Sequence, residues 1–239
     1  MNIITIKATV VAAPEPPFVG TEVVIRTTPE QLTWSVYVMT LKTDASTVDV
    51  DCGDGEVVTV AKGEKFIHTY ARPGTYRIRV PDLIKSFAPC LKTATEYCEK
   101  YAPLVQSVRI NTPSVIVLGA GNYKNCRNMT TLDIRNCQVA LLSSEAFRDC
   151  HTLTSLDGLP PSATKIDALA FCSCRNVQGR VDFPNVNTIL PTVSENAPFL
   201  DCPKITELHF PASAAAAITA HPLYPIAFGA ENAAVFCDL

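Results

Sequence analysis

The chain has 239 residues, 47% of them hydrophobic and 18% charged, with a formal net charge of −3. That is ample apolar material for one or two packed domains. No basic run of the kind a nucleic-acid backbone requires is present, and no apolar stretch approaches the roughly 18–20 residues of a membrane span.

Residues 1–20 form the first segment. Residues 1–13 alternate enough to predict a strand, and Ala13-Pro14-Glu15-Pro16-Pro17 then makes a stiff break. The opening lacks the basic start of a secretory leader, and Thr5 and Lys7 interrupt its apolar run. Either a leader has been removed or there was none. The second reading is preferred, and it suits a cytoplasmic protein or a component of a phage or prophage particle.

Residues 21–82 read as all β. Residues 21–27 alternate around an apolar stripe. Leu32, Trp34, Val36 and Val38 repeat with period two, and Ser35, Tyr37 and Met39 face the other side. Residues 47–51 run into the turn Gly53-Asp54-Gly55, and strands at 57–60 and 76–80 follow, the second after a Pro73-Gly74 turn. Short strands at regular spacing predict a β-sandwich. The stretches Val48-Asp49-Val50-Asp51-Cys52-Gly53-Asp54-Gly55 and Phe66-Ile67-His68-Thr69-Tyr70-Ala71-Arg72-Pro73-Gly74-Thr75-Tyr76 resemble the two signatures of PKD-type, immunoglobulin-like domains. The resemblance covers residues 19–81, with Asp51-Cys52 where the family often has an aromatic residue. It implies an immunoglobulin-like spacer or presenting module with no active site.

Asp49, Asp51 and Asp54 are the candidate calcium ligands. A calcium-binding loop begun at Asp49 would need an oxygen ligand at Gly53 and a Glu at Val60. Hydrogen bonding of Asp51 and Asp54 to the backbone of their own turn is therefore the favoured reading. His68 is expected to hydrogen-bond inside the sandwich.

Residues 83–100 connect the halves. Segments 83–87 and 93–100 are expected to supply a short helix that caps the first unit of the C-terminal half. Without a flexible linker here, the two halves are expected to pack rigidly.

Residues 101–239 are repetitive. The ladder is Cys98-x-x-Tyr101-x-x-Leu104, Tyr123-x-x-Cys126-x-x-Met129, Phe147-x-x-Cys150-x-x-Leu153, Phe171-x-x-Cys174-x-x-Val177, Phe199-x-x-Cys202-x-x-Ile205 and Phe228-x-x-Glu231-x-x-Ala234. Its central positions lie 25, 24, 24, 28 and 29 residues apart. A steady period of this size marks a solenoid, in which each unit buries its apolar face against its neighbours. Stacking predicts one buried column of Phe and Tyr rings. The pairs Val108-x-Ile110, Leu132-x-Ile134, Leu156-x-Gly158 and Leu208-x-Phe210 predict short strands. The unit after Val177 needs a one-residue slip to turn Val181 and Phe183 inward, and residues 212–220 read as a short helix.

Four cysteines, Cys126, Cys150, Cys174 and Cys202, share one repeat position and are expected to be buried, reduced thiols. A disulfide between stacked cysteines is the alternative. No Cys-x-x-Cys pair marks a zinc site.

Over residues 97–239 these units resemble the BspA-like leucine-rich repeats of bacterial surface proteins, with Ala-Phe-x-x-Cys-x-x-Leu at their centre. The last unit departs from the pattern by placing Glu231 at the cysteine position. The resemblance implies adhesion or recognition at a surface and no catalytic residues. The fold expected is thus mainly β with short helices: an immunoglobulin-like sandwich followed by a short leucine-rich-repeat solenoid.

Positions between the inward strand residues point outward: Arg109, Asp133, Asp157 and His209, flanked by Arg135 and Glu207. They are expected to form a polar strip that binds a protein or a surface glycan. Gly119-Ala120-Gly121 imitates a dinucleotide loop but has Lys124 where the third glycine belongs, so no cofactor is expected. The function read from these features is non-enzymatic recognition or scaffolding, at a cell surface or on a virion. The alternatives are a structural subunit that self-associates into a homo-oligomer, and an accessory module of a polysaccharide hydrolase.

Overall fold

The structure, a computed structural model, describes residues 18–36, 38–42, 44–114 and 116–239. The strand and proline-rich break expected within residues 1–17 lie outside the described residues. The fold is mainly β. Its strands are β1 (Gly20–Arg26), β2 (Thr33–Ser35), β3 (Val38–Leu41), β4 (Thr47–Asp51), β5 (Val57–Ala61), β6 (Ile67–Thr69), β7 (Thr75–Pro81), β8 (Ile84–Ala88), β9 (Val105–Asn111), β10 (Thr131–Asp133), β11 (Leu141–Leu142), β12 (Lys165–Ile166), β13 (Gly179–Asp182), β14 (Thr188–Ile189), β15 (Ile205–Phe210) and β16 (Ala234–Cys237). Two short helices are α1 (Thr95–Tyr101) and α2 (Ala215–Thr219).

Alternation decides the N-terminal half. Val23 and Ile25 of β1, Val48 and Val50 of β4, and Ile78 and Val80 of β7 are all buried, because residues two apart in a strand share a face. Trp34 is fully buried in the same core, its ring 5.9 Å from Phe66 and 6.3 Å from Phe87. β2 pairs with β6, and β3 with β8. Segment 84–88 is therefore a strand and not the expected helical cap. So short a helix is marginal in isolation, whereas antiparallel pairing with β3 satisfies its backbone while Ile84, Phe87 and Ala88 enter the core.

The largest sheet has the order β10-β9-β1-β7-β4-β5. β1 is antiparallel to both β7 and β9, with Val23 opposite Val108, and β10 lies parallel to β9 with Leu132 opposite Val108. The first two strands of the repeats thus extend a sheet begun in the N-terminal half. Trp34 Nε1 adds a cross-link by donating to the Tyr101 carbonyl at 3.2 Å. One apolar cluster runs through both halves.

Cys90 and Cys98 are joined in a disulfide, whereas eight other cysteines are free thiols. The four repeat-position cysteines, Cys126, Cys150, Cys174 and Cys202, are buried free thiols, and the disulfide lies outside that set. It links α1 to the loop after β8, not one repeat to the next. The ring it closes is short, so loop entropy accounts for about 2–3 kcal/mol. Reduction should lower the urea unfolding midpoint accordingly, and a Cys90→Ala/Cys98→Ala variant should show the same midpoint with or without reductant.

In the repeats the rings of Tyr123, Phe147, Phe171 and Phe199 stack 5.7, 5.4 and 5.3 Å apart, with planes within 10° of parallel. Each ring is fully buried. The residue before each central cysteine (Asn125, Asp149, Ser173 and Asp201) has φ of 60–63°, a left-handed turn that Asn and Asp tolerate best among residues with a side chain. That turn aims a backbone N–H at the next unit: Asn125 to Arg148, Asp149 to Cys172 and Ser173 to Leu200, at 2.8–2.9 Å. The cysteines are small enough for the space and still donate. The thiols of Cys150, Cys174 and Cys202 reach the carbonyls of Tyr123, Phe147 and Phe171 at 3.1–3.3 Å. The column ends at Phe228, whose ring turns edge-on to Phe210 at 73°. Val181 and Phe183 are both buried, as the one-residue slip requires.

Candidate functional site

The parallel strands of the repeats do not make one sheet. β9 and β10 belong to the six-stranded sheet, while β13, β15 and β16 form another. The stretch expected to bridge them, Leu156-x-Gly158, is not a strand. Its sequence continues Gly158-Leu159-Pro160-Pro161, and a proline cannot donate to a ladder. Gly158 is also pressed against the preceding unit. A Cβ there would lie 1.7 Å from the Leu132 carbonyl oxygen, and the Gly158 carbonyl accepts from Ile134 N–H at 2.8 Å.

The gap is a cleft of about 340 Å³. Leu156, Leu159, Phe183 and Val186 supply its apolar lining, and Arg135, Asp157 and Asp182 its charged groups. Four of the sequence-predicted residues come together here or beside it. Arg135 Nε and Nη2 grip the two oxygens of Asp133 at 3.0 and 3.1 Å, and Arg109 Nε lies 3.9 Å from Asp133. The hydrogen bonds from Arg135 hold the Asp133 carboxyl below its ordinary value. Asp182 is paired with Arg180 at 2.6 Å. Asp157 is exposed and forms no close ion pair among the described residues; Arg135, held by Asp133, attracts it only through space. Asp182 was missed in the sequence because the slip at Val181 obscures which residues of that unit face outward. The Pro-Pro pair was the available signal for the gap.

His209 does not join the strip. The expectation that it points into solvent is overturned: it is 3% exposed. Phe236 sits opposite it on β16 and stacks on the ring at 4.6 Å. Its Nε2 lies 2.9 Å from Glu207 and its Nδ1 2.7 Å from Asp238. Burial opposes the charged ring, but the hydrogen bonds to these two carboxylates outweigh burial and the repulsion of Arg180, so its pKa is raised above 6.5. The stabilisation is complete below the ordinary pKa and is lost as pH rises through the raised one. The urea midpoint should therefore fall as pH climbs above 6.5, and His209→Gln should remove that part of the fall.

The candidate calcium ligands do not converge, and Asp51 and Asp54 bond within their own turn as favoured. Asp49 accepts from Thr59 Oγ1 at 2.6 Å, Asp51 from Gly53 N–H at 2.9 Å and Asp54 from Glu56 N–H at 3.1 Å. Asp54 instead meets Cys52 and His68: one ligand atom from each of the three lies within 4.8 Å of the others. His68 Nε2 is 2.8 Å from Asp54 Oδ2. Burial, then the charges of Asp54, Asp51 and Glu56, push the Cys52 thiol up to about 12. A thiol so held is protonated and is no nucleophile, despite the cysteine–histidine–aspartate grouping.

The family of the BspA type leucine rich repeat region matches residues 92–220 in six copies. No curated protein and no solved structure matches the chain. The matched residues include the four stacked rings from Tyr123 to Phe199 and every residue lining the cleft, and the chain belongs to the BspA-type leucine-rich repeat family.

Proposed function

We propose that this chain is a non-enzymatic recognition protein that grips a partner protein at the cleft of its third repeat. The observation that carries the reading is the exposed Asp157, without a close ion pair among the described residues, beside a lining of Leu156, Leu159 and Phe183. A Lys or Arg side chain fits both parts, since its aliphatic stem covers apolar surface while its charge meets the carboxylate. The family is typically non-enzymatic and suggests protein binding or adhesion. In this reading the repeats are a short solenoid. The N-terminal half is a PKD-type, immunoglobulin-like sandwich that holds the solenoid at a cell surface or on a phage or prophage particle. Alternating burial on β1, β4 and β7, and the Asp51 and Asp54 bonds within the glycine turn, support that assignment.

The test is binding of the purified, labelled chain to arrays of basic peptides, neutral peptides and surface glycans. Saturable binding to basic peptides that weakens with salt and disappears in Asp157→Arg is the expected result. Glycan binding that Asp157→Arg leaves unchanged would move the ligand class to sugars. No binding by folded protein, with a mass that grows with concentration in light scattering, would replace recognition by self-assembly. β16 favours that second reading, because it has one partner strand and its Phe236 is 39% exposed.

A further inference from the structure

The hairpin of β4 and β5 faces β6 across the N-terminal half, and the contact is made by an unusual set of side chains. Cys52 follows β4, Asp54 sits in the turn between Gly53 and Gly55, and His68 is the middle residue of β6. β4 belongs to the six-stranded sheet and β6 to the pair with β2, so the three residues join two sheets. A hydrogen bond between His68 and Asp54 accounts for two of them. It does not account for Cys52, whose thiol lies 3.7 Å from the Val50 carbonyl and meets the backbone at Val58 but pairs with no side chain among the described residues.

We infer that Cys52, Asp54 and His68 bind one zinc ion, with water as the fourth ligand. Sulfur, imidazole nitrogen and carboxylate oxygen form a zinc donor set, whereas calcium takes oxygen alone. Zinc bond lengths of about 2.0–2.3 Å in a tetrahedron place ligand atoms about 3.3–3.6 Å apart. The present atoms lie within 4.8 Å of one another and His68 Nε2 is 2.8 Å from Asp54 Oδ2, so the widest pair must close by about 1 Å and the His68–Asp54 pair open by about 0.5 Å, shifts within reach of side-chain rotation. His68 Nε2 faces Asp54 and is the ligand nitrogen.

Its other nitrogen, Nδ1, lies 3.9 Å from Glu56 Oε2. The Glu56 side chain is 74% exposed and can swing in to accept the Nδ1 proton in a hydrogen bond, the outer-shell carboxylate that fixes a metal-bound histidine. Binding displaces the Cys52 thiol proton to solvent, and the neutral ring carries its proton on Nδ1, which frees the Nε2 lone pair for the metal. Asp51, Asp54 and Glu56 place negative charge around the thiol, which attracts a dication. The surrounding geometry is firm. Tyr70 donates to the Cys52 carbonyl at 3.0 Å and packs edge-on to His68 at 4.6 Å. Gly53 lies so close to Arg77 that a Cβ would fall 2.4 Å from its carbonyl oxygen.

The experiment uses the full chain with its Cys90–Cys98 disulfide intact, stripped with a chelator under argon without reductant, and titrated with zinc(II) against a chromophoric competitor and separately with cobalt(II). One zinc per chain is expected, together with a near-ultraviolet thiolate-to-cobalt band and the visible bands of four-coordinate cobalt. Cys52→Ser should abolish the thiolate band, Glu56→Gln should weaken zinc binding about 10–100-fold, and Asp49→Asn should change neither. A thiolate band that survives in Cys52→Ser, or zinc uptake no greater than in that variant, would overturn the assignment. Should Cys52→Ser fail to fold, wild-type melting decides: zinc must raise the midpoint and calcium must not, and equal response to both ions refutes the site.

Discussion

Replacing Phe171 by alanine should cost about 3–5 kcal/mol, the loss expected for deleting a fully buried ring. Phe171 is the inner member of the column most heavily engaged, stacked on Phe147 at 5.4 Å and Phe199 at 5.3 Å, with Phe183 6.4 Å away. Neighbouring repeats cannot close the hole, because their spacing is held by backbone bonds such as Phe147 N–H to the Ala170 carbonyl and Phe171 N–H to the Pro198 carbonyl. For a chain of this length each kcal/mol moves the melting midpoint by roughly 2–4 °C, so a fall of about 6–20 °C is expected. The informative readout is the fluorescence of Trp34, the single tryptophan, which lies in the other half of the chain. The six-stranded sheet and the common core should make the halves melt as one cooperative unit. Trp34 fluorescence and far-ultraviolet circular dichroism should therefore report the same lowered midpoint. A fluorescence midpoint left at the wild-type value, with an earlier loss of circular dichroism, would show that the repeats melt alone.

What was legible in the sequence came from periodicity. A ring every 24–28 residues from Tyr123 to Phe199 admits one arrangement that buries them all, and the stacked column is that arrangement. The alternating Val and Ile residues of β1, β4 and β7 were equally plain, because period two puts them on one face. What escaped reading depends on partners far away in sequence. Residues 84–88 carry too few positions to separate helix from strand, and only the unfilled edge of β3 decides. His209 does alternate outward, but Phe236, 27 residues later, covers it. Cys90 and Cys98 pair because α1 turns back on the preceding loop, and no repeat position predicts that. The cleft was hidden for a different reason. Leu156-x-Gly158 has the apolar spacing of its sister units, and the contradiction lies in Gly158, Pro160 and Pro161, whose effect is to withhold side chain and donors. An interruption of a repeat is where the repeat stops burying itself, which is why the cleft and its exposed Asp157 occur there.

Trp34→Ala tests the join between the halves from the other side. Its indole is fully buried against Phe66 and Phe87, and its Nε1 is the donor to the Tyr101 carbonyl at the end of α1. Truncation should again cost about 3–5 kcal/mol. Trp34→Phe separates the two contributions. It retains most of the apolar area and loses the hydrogen bond, so it should cost about 0.5–1.5 kcal/mol if packing is otherwise preserved. Circular dichroism is the probe here, because the variants lack the fluorophore. Trp34 and Phe171 share no ring partner among the described residues, so a Trp34→Ala/Phe171→Ala variant should lose close to the sum of the two single losses, provided both sites belong to one folding unit. If instead Trp34→Ala leaves a late transition at the wild-type midpoint, the repeats stand without the N-terminal half. The β1–β9 ladder would then be a seam between two independent bodies. A rigid seam matters for the proposed function, because it fixes the direction in which the Asp157 cleft is presented. Coincident melting in both variants is the physical signature of that rigidity.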